Sequence, residues 1–133
     1  MCIRDEEGCY VLSKTLWLTL LCSVEVGEAL GLYHAMKWIN ELQLANVDFE
    51  LDEKKVTDYY ARNRGDIAEF GIIMDDCMHL CQNSLTNSSV EFIRRQTNEV
   101  AHTLARVTTY RVSFRSYIEI PHCITDLISY EML

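Results

Sequence analysis

The chain has 133 residues, 49% of them hydrophobic, which predicts a single domain over 1–133 with enough apolar material for a core of its own. Its formal net charge of -8, from 20 acidic against 12 basic side chains, excludes whole-surface attraction to nucleic acid or membrane, so a polyanion partner would need a local basic patch or a bound cation. Six cysteines without a CxxC pair exclude a zinc-knuckle pattern, and the opening MCIRDEEG lacks the apolar stretch of a signal peptide, which together point to a reduced, intracellular protein that is not secreted.

In chain order, Cys2, Ile3 and Arg4 are the end of a strand, and the acidic turn closed by Gly8 leads into a second strand over 9–18, rich in β-branched, aromatic and aliphatic residues. The apolar run TLWLTLLCSV that begins inside it is about half the length a bilayer span needs, so no membrane partner is expected. Leu32, Ala35, Ile39 and Leu42 then recur at helical spacing and predict a helix over 24–43. One turn back on the same line lies Glu28, directed along the buried stripe. Strict alternation of Val47, Phe49 and Leu51 predicts a strand over 46–51 with Asp52 at its carboxyl end.

A short helix over 53–61 and a loop over 62–66 follow. Phe70, Ile73, Met74, Cys77, Leu80 and Cys81 mark an amphipathic helix over 67–82, in which the two cysteines read as packed free thiols, with a metal or redox role as the alternative. Val90 to Ile93 predicts another strand, ending at Arg94 and Arg95. Thr97 is the expected N-cap of a helix through Arg106, with Val100, Ala101, Leu104 and Ala105 inward and Asn98 and His102 sharing the opposite edge. The stretch 107–133 predicts no regular element and is expected as an irregular tail packed over the domain. The order hairpin, helix, strand, helix, helix, strand, helix is an α/β fold with helices against a mixed sheet.

Each candidate residue also has an ordinary structural reading. Glu28 could cap the first turn of its helix and Asp52 could be the N-cap of the next one. His102 could be a half-buried surface histidine, and Arg94 and Arg95 a solvated strand end.

Five motifs in order carry a resemblance. Arg4, Asp5 and Gly8 fit RDxxG, and Glu28-Ala29-Leu30 fits the helix start AEALAL. Glu50-Leu51-Asp52 fits ESD, with Leu51 in place of Ser. Glu69-Phe70-Gly71-Ile72-Ile73, followed by Asp76-Cys77, fits EFGxII…DC. Arg94-Arg95, Asn98, Ala101-His102 and Leu104-Ala105 fit RRxxNxxAHxLA. Over about 1–128 the chain therefore resembles the ribonuclease H-like domains attached to plant non-LTR retroelement reverse transcriptases and their free-standing descendants.

The resemblance implies Mg²⁺-dependent endonucleolytic hydrolysis of the RNA strand of an RNA–DNA hybrid, with Mn²⁺ as a second choice of metal and no small-molecule cofactor. It assigns Glu28 and Asp52 as metal-holding carboxylates, His102 as the third catalytic position, and Arg94, Arg95 and Asn98 as nucleic-acid contacts. In the family the first carboxylate lies on an opening strand with a DGA-like segment upstream of RDxxG, and this sequence starts after that point. Asp5 belongs to the turn instead. The expected fold is therefore ribonuclease H-like with its first strand truncated, and the strands at 2–4, 9–18, 47–51 and 90–93 are expected to form one sheet whose inner edges lack a partner. Activity is expected to be weak or lost. The alternatives are a non-catalytic nucleic-acid- or protein-binding module and a truncated sequence of an active enzyme.

Overall fold

A computed structural model describes residues 1–16, 22–62, 68–94, 98–108 and 115–131. The chain forms two compact units, one built from Met1–Leu20 and Arg95–Leu133, the other from Leu21–Arg94.

The first unit opens with β1 (Cys2–Arg4) and β2 (Tyr10–Thr15), paired antiparallel with Ile3 opposite Leu12. Asp5 builds the turn between them: its Oδ1 accepts from the Glu7 amide at 3.0 Å and the Cys9 amide at 2.8 Å, while its carbonyl accepts from the Gly8 amide at 3.0 Å. Gly8 sits at φ 81°, a region that costs a residue with a Cβ roughly 1–2 kcal/mol. The spacing Arg-Asp-x-x-Gly is thus a turn specification: strand end, side-chain acceptor, left-handed glycine. Later in this unit come α4 (Glu99–Thr108), β5 (Arg115–Tyr117), a 3₁₀ turn (His122–Ile124) and α5 (Thr125–Glu131).

The second unit holds α1 (Val24–Glu41), β3 (Asp48–Leu51), α2 (Lys54–Arg62), α3 (Glu69–Ser84) and β4 (Ser89–Phe92). α1 starts where the Ser23 hydroxyl accepts from the Val26 amide at 3.3 Å. It ends at Gln43, φ 56°, where the Gln43 amide reaches Asn40 O at 3.0 Å and the Leu44 amide reaches Ile39 O at 3.2 Å, a Schellman-type closure with glutamine in the glycine position. Val26, Ala29, Leu32, Met36 and Ile39 bury one stripe of α1, and Phe70, Met74, Cys77 and Cys81 bury the facing stripe of α3. Ala29 and Cys77 are both 0% exposed, and the Cys77 thiol donates weakly to Ala29 O at 3.9 Å, so small residues at this point let the two helices close. Met36 and Met74, both 0% exposed, stabilise the pair by about 1.5–3 kcal/mol each. β3 and β4 run parallel, with Phe49 opposite Val90 and Leu51 opposite Phe92. Phe49 and Leu51 are buried while Asp48 and Glu50 are exposed, as the alternation requires.

The α/β class and the element order through α4 agree with the sequence reading. Three expectations are corrected. The strands make two sheets, a three-stranded β1-β2-β5 and a two-stranded β3-β4, not one. Among the described residues, β1 and β3 belong to different sheets. The irregular tail is also corrected: it supplies β5, which pairs antiparallel with β2, and α5. Leu42, expected on the buried stripe, is 39% exposed because the helix has already closed there. The outer end of the second strand at Leu18, the loop residues 63–66, Arg95 and the cap residue Thr97 lie outside the described residues. Among the described residues, no helix is long and apolar enough to cross a membrane.

Candidate functional site

Asp52 follows β3 directly, so the ladder decides what stands beside it. Leu51 faces Phe92 and the Ile93 amide donates to Leu51 O at 2.9 Å, which sends Asp52 and Arg94 off the parallel pair at the same, carboxyl, end. In α/β sheets this is the end at which ligand sites form, because the loops there leave the layered core. Arg94 is exposed and Asp52 half-buried. The capping position of α2 belongs to Glu53: its Oε1 accepts from the Lys55 amide at 3.2 Å, and its carbonyl accepts from Val56 at 3.2 Å and Thr57 at 3.4 Å.

Glu28 lies in the second turn of α1, half-buried, three residues after Glu25 and therefore on the same side of the helix. An ion pair between Lys55 and Glu25 ties the first turn of α1 to the first turn of α2. The Lys55 ammonium also lies 5.1 Å from the centre of the Phe70 ring, and Phe70 meets Tyr59 edge to face at 5.5 Å. The Tyr59 hydroxyl in turn donates to Asp75 Oδ1 at 3.2 Å. This chain of contacts joins three helices around the elements that carry Glu28 and lead away from Asp52. Both members of the ion pair are more than a third exposed, so the pair itself contributes only about 0.2–1 kcal/mol.

Sequence reasoning missed Lys55 and Glu25. The signal was present: α2 opens with Lys54 and Lys55 and has no acidic residue in its first turn, an arrangement that opposes the helix dipole by about 0.3–1 kcal/mol per charge and calls for a compensating anion.

Asn98 and His102 belong to the other unit, at the start of α4. The His102 amide donates to Asn98 O at 3.2 Å, so the two stand one helical turn apart, both half-buried. The structure thus brings the elements of Glu28, Asp52 and Arg94 together in one unit and pairs Asn98 with His102 in the other.

Magnesium takes hard oxygen donors, and two carboxylates supply the right donor type for one ion whose remaining positions are filled by water. They fall short of the carboxylate set that two cations share in phosphodiester hydrolysis. Among the described residues, no three His, Cys, Asp or Glu side chains form a group that could hold a metal ion. The Cys77 and Cys81 thiols are buried, and burial, then the charges of Asp76 and Cys81, push the Cys77 thiol up to about 12, which suits packing rather than ligation.

Helices packed around small sheets, with a carboxylate and an arginine at one parallel strand end, define an α/β domain consistent with the ribonuclease H-like class. A family profile described as reverse transcriptase-like matches residues 1–108. The chain belongs to this ribonuclease H-like family. Nothing among curated proteins or solved structures matches it.

Proposed function

We propose that the chain is a nucleic-acid-binding ribonuclease H-like domain whose hydrolysis of the RNA strand of an RNA–DNA hybrid is weak or lost. The observation that supports this most is the shared strand end: the register of β3 and β4 sends Asp52 and Arg94 off the same, carboxyl, end of the parallel pair. Glu28 and Asp52 would hold at most one Mg²⁺, or Mn²⁺, loosely and through water. The ion would supply charge neutralisation at a phosphate and a more acidic bound water.

The protein groups have separate roles in this reading. Arg94, with Arg95 next to it in sequence, and Asn98 contact backbone phosphates and fix the strand's position. The imidazole of His102 suits proton transfer better than magnesium ligation. Two carboxylate charges offset two divalent cations poorly, so activating the water and stabilising the leaving oxygen together is beyond this set.

The test is binding and cleavage of an end-labelled RNA–DNA hybrid in Mg²⁺ and in Mn²⁺. Salt-dependent binding with very slow or no cleavage is expected. Arg94→Ala should weaken binding and lower the slope of log affinity against log salt by about 1. Robust Mg²⁺-dependent cleavage that Glu28→Gln abolishes would overturn the catalytic part, and absence of hybrid binding would overturn the rest.

A further inference from the structure

The family match ends at residue 108, yet residues 115–131 are built into the first unit at three places. We infer that this C-terminal segment is a clamp on which the ordering of α4, and with it the placement of Asn98 and His102, depends. The inference is independent of whether the chain cleaves or binds nucleic acid.

Burial carries the argument. Among the described residues of this unit, the buried hydrophobic side chains are Val100, Leu104, Ile124 and Ile128, at 4, 1, 0 and 1% exposure. Two come from α4 and two from beyond the family match. α4 has ten residues, too few to hold its shape in water unless its apolar face is covered. Ile124 and Ile128 supply that cover from the 3₁₀ turn and α5, four residues apart and so on one side. Pro121 sets the approach, its carbonyl accepting from the Ile124 amide at 3.0 Å and the Thr125 hydroxyl at 3.3 Å.

The segment is also tied to the hairpin. β5 lies antiparallel on β2, with Ser13 opposite Tyr117 and Thr15 opposite Arg115, and closes an edge that would otherwise expose unpaired backbone groups. Beside it the Tyr10 hydroxyl meets Ser13 Oγ at 2.7 Å, Tyr117 O at 3.0 Å and Glu119 O at 3.3 Å. Carbonyls only accept, so the single Tyr10 proton is shared between those two oxygens and the Ser13 hydroxyl donates to Tyr10. Tyr10 and Leu127 pack against the cluster of α4 and α5, which makes ladder, latch and core one contiguous device.

Amide hydrogen exchange on the full chain tests this. In Ile128→Ser the amides of α4 should exchange about tenfold faster or more, while those of α1 and α3 keep their rates. Ile128→Val should restore most of the protection, and Tyr10→Phe, which removes only a hydroxyl, should speed exchange in β5 and then in α4. If α5 loses protection in Ile128→Ser while α4 keeps wild-type rates, the clamp is refuted. A uniform loss across the chain in Ile128→Ser, with α4 unmoved by Tyr10→Phe, refutes it as well.

Discussion

Cys77 offers a sharp test of how the second unit is packed, because its reactivity is set by burial. The thiol is 0% exposed on α3, and desolvation, then the charges of Asp76 and Cys81, raise it from 9.0 to about 12. The thiolate is the species that attacks an alkylating reagent. At pH 8 a thiol titrating near 12 is ionised in about one molecule in 10⁴, against about one in four for an ordinary exposed thiol near 8.5, a ratio of about 2,000. Limited access adds to this. The assay is iodoacetamide labelling at pH 8, read peptide by peptide by mass spectrometry with and without denaturant. Cys22 and Cys123, both exposed, should label readily in the folded protein, with Cys77 slower by about 10³ or more until denaturant is added. Labelling of Cys77 within about tenfold of Cys22 under native conditions would mean that the α1–α3 contact at Ala29 opens freely, and the packing argument would fail.

The same shift has a pH signature. The folded state keeps the Cys77 proton to about 12 while the unfolded chain releases it near 9, so stability present below pH 9 should fall as pH rises from 9 to 12. The slope approaches about 1.4 kcal/mol per pH unit, and a Cys77→Ala variant whose urea midpoint declines just as steeply over that range would contradict it. Gln43→Gly should raise stability by about 1 kcal/mol in urea denaturation, because φ 56° strains a residue with a Cβ; a loss of stability would show that the glutamine side chain holds the corner. Asp5→Ala should cost about 1 kcal/mol by removing the acceptor of two turn amides, and Asp5→Asn, which keeps an oxygen there, should recover most of it; equal losses would point to charge rather than geometry.

Much of this protein is set by short-range pattern. The α1 stripe, the alternation that buries Phe49 and Leu51, and the Asp5-to-Gly8 turn each follow from side-chain spacing or from one φ value, and neighbours in the chain suffice to express them. The family was legible for a related reason: its motifs are the turn, strand-end and helix-start residues that local geometry holds at fixed intervals. Tertiary structure decided what depends on distant partners. β5 has three residues and no period of its own; it is a strand because Ser13, 104 positions earlier in the chain, lies opposite Tyr117. α5 is a helix because Ile124 and Ile128 find Val100 and Leu104. The division into two sheets is equally nonlocal, since whether two strand edges join depends on which backbone groups meet across space. The Lys55–Glu25 pair is the intermediate case, for the two lysines that open α2 favour a nearby anion and only the fold says that Glu25 answers Lys55.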